Sequence, residues 1–460
     1  MLTPDPLAVG GLPRFAERFR AGETTSEAAT RAYLERIRAL DGRLGSYQYV
    51  ASDQALAAAR EIDALFAAGT YLGPLMGVPV SVKDLFVVDG MPTTAGSLVD
   101  VTDLVSIEGS FVRRLREAGC VLLGKTKTVE FGLGITGLSE PHGTPRNPWD
   151  ERTPRLPGGS SSGAGVAVAA GLCAFAVGAD TGGSVRVPAA LCGVFGLKTS
   201  FGVWPGDGVF PLAPHLDSVG LLTASAEDAA LVFAHLTAGR EIAPALLSGL
   251  RLGVLDGYFR TGLDDDVRRV LDAAVEALAG AGASVETVEL PEAPEREAYF
   301  PVVLPACLVG SLGPRRVLRD HRLMDPVVAA RTLDGLDVRP EQTRALEARR
   351  RAAMRSAAAG FAGWDGWLSA TTTTTAPAVM DAADPGHGLS LAMTMTRNTQ
   401  PVNYLGLCAV SVPLPRERAA LPLGMQLIGP GGSDARLLSV ALAVEGVLGR
   451  APKPDLHGFT

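Results

Sequence analysis

Apolar positions along this chain follow two periods in turn. Between residues 24 and 66 they recur at intervals of three and four, the spacing of helices with one buried face. Thr24-Thr25-Ser26-Glu27 supplies cap residues for a first helix through Leu40, and Ala55 to Phe66 continues in the same style. The pattern then changes. Val78-Pro-Val-Ser-Val82 is a short β-branched run, and it predicts a strand that delivers Lys83 and Asp84 at its end. Residues 108–118 predict a helix, and Val121-Leu-Leu123 predicts a short strand. From Gly158 to Lys198 strand and helix alternate between Gly clusters. Arg251 to Leu255 predicts a strand and Asp264 to Gly280 a helix. Residues 292–365 are mostly helical and more charged, which suits an insertion or cap. Residues 366–445 return to strands, with Thr371–Thr375 read as a β-branched strand and Asp434 to Leu448 as a last helix. This alternation predicts an α/β layered fold. No Pro/Ser linker divides the chain, and one domain over residues 1–460 is expected.

Composition narrows the classes. The 460 residues are 47% hydrophobic, enough for a large core without a metal or disulfide staple, and disorder is excluded as the main state. Lys+Arg 42 against Asp+Glu 49 gives a net charge of −7, which argues against a general nucleic-acid binder. Cys120, Cys173, Cys192, Cys307 and Cys408 are odd in number, widely spaced and without CxxC. They read as small buried apolar residues in a reducing compartment. The His residues are scattered without HExxH, and no acidic cluster replaces them, so neither metal nor cofactor is expected. The N-terminus shows no secretory signal. The longest uncharged apolar stretch, Gly163 to Ala179, is 17 residues of mostly Gly, Ala and Val, with Gly171 inside. It reads as a buried helix and a buried strand rather than a membrane span. A cytoplasmic protein with no membrane attachment is the expectation. The basic run Arg344, Arg349, Arg350, Arg351 and Arg355 sits on a predicted helix, with Glu347 placed i,i+4 to Arg351. It reads as a solvated face.

Two motif matches fail on context. Gly119 to Thr126 fits GxxxxGK[ST], but its middle residues are apolar and strand-like and a helix precedes them, the reverse of a phosphate loop. Gly159-Ser-Ser-Ser-Gly163 fits GxSxG, but Arg152-Thr-Pro-Arg-Leu-Pro157 before it cannot be the central strand a nucleophile elbow needs.

Two Gly/Ser clusters remain, Gly158-Gly-Ser160-Ser161-Ser162-Gly163 and Asp180-Thr-Gly-Gly-Ser184. Alone, each would pass for a turn or a linker. Here a small-residue helix and a strand join them, and each ends with Ser near a helix start, where N–H groups point outward. Lys83 at another strand end can reach the same place. A Ser hydroxyl needs an adjacent base, and a Lys can serve if burial keeps it neutral. A second hydroxyl can relay the proton. Gly182 and Gly183 let backbone N–H groups approach a developing oxyanion.

These residues, with their neighbours, resemble the amidase signature family. The resemblance runs through Gly77-Val-Pro-Val-Ser-Val-Lys-Asp84, Gly124 to Phe131, Pro157 to Gly163, Gly178 to Ala190, Cys192 to Lys198, Leu216-Asp-Ser-Val-Gly220 and Leu421 to Gly429. It implies a mixed central sheet covered by helices, with 292–365 as a helical cap. It also implies a nucleophile at Ser184, a bridging Ser160 on a cis peptide and a general base at Lys83. The N–H groups of Thr181, Gly182, Gly183 and Ser184 would form the oxyanion hole. Ser161, Asp180 and Arg186 would support the loop. The implied activity is hydrolysis of small carboxamides, with carbamates (as in urethanases) or ureas open to the same attack. The glutaminase component of a tRNA-dependent amidotransferase and a non-catalytic module on this fold are the competing readings. The family often forms homodimers. Two departures stand out. The Ser loop reads Ser160-Ser-Ser-Gly-Ala164 rather than the common Ser-Ser-Gly-Gly-Ser, and Thr371–Thr375 replaces a Pro-Thr pattern near the acyl pocket. The stretches Phe131 to Leu138, Pro305 to Leu312 and Asn398 to Leu405 are expected as pocket walls, and Trp364 and Trp367 as core or cap residues.

Overall fold

The structure is a computed structural model that describes residues 2–417 and 420–460. Eleven strands form one mixed sheet. They are β1 (Tyr47–Val50), β2 (Pro79–Lys83), β3 (Val121–Thr126), β4 (Phe175–Asp180), β5 (Phe195–Lys198), β6 (Ser218–Thr223), β7 (Arg251–Leu255), β8 (Ser284–Val288), β9 (Gly366–Ala370), β10 (Cys408–Pro413) and β11 (Gly424–Gly429). The order across the sheet is β1-β3-β2-β4-β6-β5-β10-β11-β9-β7-β8. β2 pairs in parallel with both β3 and β4, and β7 with both β8 and β9; the remaining neighbours are antiparallel.

From β2 through β11 the central strands are buried at every position rather than at alternate ones, as covering on both faces requires. This is why the sequence shows short continuous apolar runs there. The edge strand β8 is largely exposed and alternates polar residues. The helix Ser162–Ala169 is buried at every residue, and its glycines explain its composition. A Cβ at Gly163 would stand 2.1 Å from the Ser46 carbonyl oxygen and 2.5 Å from the Lys127 nitrogen. Only a bare Cα lets this helix lie against the backbone that follows β3.

The strand and helix predictions at Lys83, 108–118, Arg251–Leu255, Asp264–Gly280 and Asp434–Leu448 match observed elements within a few residues. Two expectations need correction, and one helix goes beyond them. Thr371–Thr375 is not a strand: β9 ends at Ala370, and the threonines run as successive bends. Their hydroxyls satisfy groups close by, Thr372 donating to the Thr374 carbonyl at 2.8 Å and Thr374 to the Thr375 carbonyl at 3.0 Å, an alternative to the ladder. The basic run on the helix Pro340–Gly360 is not uniformly solvated. Arg350 is buried and donates Nε to the Tyr404 carbonyl at 2.9 Å, while Glu347 faces His215 and Tyr299. The helix Gly11–Arg20, which buries Leu12, Phe15 and Phe19, is not announced by the sequence pattern, because Gly10, Gly11 and Pro13 mask its start. Among the described residues no single helix is long and apolar enough to cross a membrane.

Gly163→Ala raises helix propensity yet forces a methyl group into fixed backbone. The packing effect should win, with a loss of about 1–3 kcal/mol and a lower thermal midpoint in calorimetry.

Candidate active site

β2 and β4 are parallel neighbours, so their carboxyl ends open on the same edge of the sheet, where α/β folds place their ligand crevices. β2 ends on Lys83, and β4 ends on Asp180 and leads into the loop to Ser184. Lys83 is fully buried, and its Nζ donates to Ser160 Oγ at 2.7 Å. Among the described residues no carboxylate lies within 4.0 Å of it. The adjacent Asp84 turns the other way and pairs with Lys125 at 2.9 Å. Burial therefore dominates at Lys83 and lowers its pKa from 10.5 to about 7, although Asp180 and Asp217 pull the other way.

Ser160 follows a cis peptide from Gly159 and accepts the Val129 N–H on its carbonyl at 3.0 Å. The next residue ties the two serine clusters together, since Ser161 donates its N–H to the Ser184 carbonyl at 3.2 Å and its hydroxyl to the Ala179 carbonyl at 3.4 Å. Ser184 borders a cavity of about 200 Å³ together with Thr181 and Gly182. Its hydroxyl makes no hydrogen bond to another protein group, Ser160 included, among the described residues.

Asp180 organises the loop. Its carboxylate accepts the N–H groups of Gly183 at 2.8 Å and Val185 at 3.1 Å, the amide of Asn403 at 2.8 Å, and the Arg186 guanidinium at 2.9 and 3.1 Å. Burial alone would raise this carboxyl, but Arg186, Lys198 and Asn403 overcome it and hold the group well below the usual carboxylate range. Arg186 is itself fully buried and also reaches Gln426, Asn403 and the Thr399 carbonyl. These arrangements alter one expectation. The Gly183 N–H already belongs to Asp180, so it is not available to an oxyanion, and Gly183 does not border the cavity. Its role is conformational: φ is +127°, and a Cβ would meet Thr399 Oγ1 at 2.2 Å. No acceptor within the protein takes the N–H of Gly182 or Ser184 among the described residues. The Thr181 hydroxyl donates to Asp217 at 2.6 Å.

The cavity walls match the sequence reading in part. Gly132 to Ile135 lie within the expected stretch 131–138, but Pro305 and Gln400 are the only lining residues of the other two. The helix Arg296–Leu312 faces the cavity with its first half, through Phe300 and Leu304. Asn398 and Asn403 point below the cavity, Asn398 toward the Phe259 and Ala370 carbonyls. Trp367 belongs to the core, stacked on Phe361 at 3.6 Å, and Trp364 lies under Arg251. Arg296, Arg331 and Met393 line the cavity and were missed. Helix period hid them, because an arginine within an otherwise mixed helix carries no mark of which way it faces. Among the described residues no three His, Cys, Asp or Glu side chains cluster as a metal site would require.

Asp180→Asn leaves Arg186 charged and buried without its counter-ion. The folded state should lose about 3–5 kcal/mol, read by urea denaturation. Because the Asp180 carboxyl is depressed, the wild-type contribution is complete above the ordinary carboxylate range and fades only as acid titrates the folded state.

Comparison with known proteins places the whole chain. The family described as Amidase matches residues 28–438. The 2-amino-5-chloromuconic acid deaminase of Comamonas testosteroni is 37% identical, over 95% of this chain and 96% of that protein. A glutamyl-tRNA(Gln) amidotransferase subunit from Acidothermus cellulolyticus is 34% identical, over 94% of this chain and 92% of that one. The crystal structure of the native peptide amidase of Stenotrophomonas maltophilia superposes with a TM-score of 0.83 at 28% identity, covering 99% of this chain and 100% of that one. A buried lysine beside a serine at the carboxyl edge of a mixed sheet thus sits in a chain whose whole length follows one family, and the protein belongs to the amidase signature family of enzymes that hydrolyse C–N bonds.

Proposed function

We propose that this enzyme hydrolyses small carboxamides, or the related bonds of carbamates and ureas, through an acyl-enzyme on Ser184. Neutral Lys83 takes the proton of Ser160 as Ser160 takes that of Ser184, and Ser184 Oγ bonds to the substrate carbonyl carbon. The N–H groups of Thr181, Gly182 and Ser184 receive the oxyanion. The C–N bond then breaks, and the proton returns along the same path to the leaving nitrogen. Water repeats the attack on the ester, releasing the acid and restoring both hydroxyls. Ser161, Asp180 and Arg186 hold the loops in place.

The observation that carries this reading is the 2.7 Å contact between Lys83 Nζ and Ser160 Oγ at a lysine with no carboxylate within 4.0 Å among the described residues. A paired lysine would remain charged and could not accept a proton. The relative from Comamonas testosteroni is named for deaminating a small organic acid, which supports a small substrate. A second reading has support of its own, since several proteins named as glutamyl-tRNA(Gln) amidotransferase subunits are 32–36% identical over more than nine-tenths of the chain. In that role the chain would release ammonia from glutamine for partner subunits. Glutamine turnover that rises when those partners are added would favour it over a free-standing hydrolase.

Ser184→Ala should lower kcat by roughly four to six orders of magnitude and abolish labelling by a fluorophosphonate. Lys83→Ala should match it while keeping the fold; near-wild-type turnover by either variant would overturn the mechanism. The base works only when neutral, so kcat/KM should rise with pH through a midpoint near the Lys83 value of about 7 and level off above it.

A further inference from the structure

The helix Pro326–Asp334 begins on a strong local signal. Asp325 caps it, accepting the N–H groups of Val327 at 3.0 Å and Val328 at 3.4 Å, and Pro326 occupies the first helical position. The Asp325 N–H in turn donates to Glu130 at 2.7 Å, which docks the helix on the loop that forms the near wall of the cavity. Val328 and Thr332 are buried on the inner face. Arg331 is thereby brought to the cavity that Ser184 borders.

Two guanidinium groups line this cavity, and they are not equivalent. Arg296 is fully engaged: Nε donates to Tyr258, Nη1 to Gln400 at 2.7 Å, Nη2 to the Met393 carbonyl, and Glu297 lies 3.7 Å away. Arg331 makes one hydrogen bond, from Nη1 to the Leu133 carbonyl at 3.3 Å, and among the described residues no carboxylate comes within 4.0 Å. The buried arginines at 36, 186 and 350 each make at least three hydrogen bonds. Burial lowers the Arg331 pKa only to about 10, with Asp334 opposing, so the group stays cationic at neutral pH. Two acids also border the cavity. Glu297 is held by Tyr258, Arg296 and Arg397, and Asp334 is exposed at the far end of the helix.

We infer that Arg331 is a specificity-determining residue that binds a carboxylate of the substrate, so that the preferred substrates are small amides bearing a free acid group. The inference rests on the hydrolase reading of Ser184 and narrows its substrate class. A guanidinium with most of its donors open beside a nucleophile matches the planar, two-oxygen geometry of a carboxylate. Phe300, Leu304 and Met393 give the cavity an apolar wall, against which Arg331 stands as the cation with open donors.

The test uses matched amides that differ by a carboxylate in place of a methyl group: oxamate with acetamide, malonamate with propionamide, and succinamate with butyramide. Ammonia release is followed for wild type, Arg331→Gln and Arg331→Lys, and fluorophosphonate labelling of Ser184 reports the intact site in each. Wild type should favour at least one acid over its partner. Arg331→Gln should lower kcat/KM for that acid by roughly 10- to 100-fold, mainly through KM, with the neutral partner and the labelling changed less than about twofold. Arg331→Lys should recover part of the loss. Equal losses on both members of a pair, which a wall-holding role through Leu133 would give, overturn the proposal. So does a labelled wild type that is indifferent to the carboxylate. A wild type neither labelled nor active on any amide would instead overturn the hydrolase reading beneath it.

Discussion

The buried pairing of Asp180 with Arg186 is the interaction on which the site depends. Both side chains are fully buried, and removing either charge from water is costly unless the partner and additional hydrogen bonds compensate. Here the compensation is nearly complete. Two loop N–H groups, Asn403 and the forked guanidinium surround one carboxylate, and Gln426 and the Thr399 carbonyl take the outer face of the arginine. The chain from 180 to 186 is thus wrapped around an anion of its own. One consequence is the orientation of the loop: with the Gly183 N–H turned inward to Asp180, the N–H groups on either side are left for the cavity.

The same edge of the sheet carries two buried lysines in contrasting conditions. Lys125, at the end of β3, has Asp84 and Thr93 as close partners. Lys83, one strand over, has only a serine hydroxyl as a hydrogen-bond partner among the described residues. Asp180 and Asp217 act on Lys83 from a distance but are already committed, Asp180 to Arg186 and Asp217 to Thr181 and the N–H groups of Leu212 and Ala213. Desolvation therefore exceeds attraction, and the lysine is poised close to neutrality. The difference between the two lysines is that a carboxylate faces Lys125 at 2.9 Å and, among the described residues, none comes within 4.0 Å of Lys83.

The cavity extends this logic of unmet partners. Elsewhere buried guanidinium groups are matched, by carboxylates at Arg186, Arg296 and Arg350 and by three backbone carbonyls at Arg36. Among the described residues the Ser184 hydroxyl and the N–H groups of Gly182 and Ser184 have no protein partner and Arg331 has one, and these residues border one space of about 200 Å³. On the proposed function, an open hydroxyl, open N–H groups and a fixed cation within that volume would define the shape and charge of what fits it.

Much of this was legible in the amino-acid sequence because it is set by local chemistry. The β-branched run before Lys83, the cap and period of Asp434 to Leu448, and the Gly/Ser clusters around Ser160 and Ser184 declare strand, helix and turn through steric preference and hydrogen bonding within a few residues. The pairing of Asp180 with Arg186 is also close in sequence. What the sequence left open depends on groups brought from far along the chain. Thr371–Thr375 has the composition of a strand, and Thr371 still donates its N–H to the Gly424 carbonyl, but beyond it the hydroxyls of Thr372 and Thr374 find nearer partners. Asn403 and Gln426 reach Arg186 across more than 200 residues, and no local pattern marks them. Residue type announces a lysine, an arginine or a glycine N–H; whether it is matched or left open is a matter of what packs against it. The amino-acid order therefore determined which reactive groups exist and roughly where they stand on strands and turns. Only the tertiary arrangement decided which of them lost their counter-charges, because burial and pairing are properties of the assembled neighbourhood.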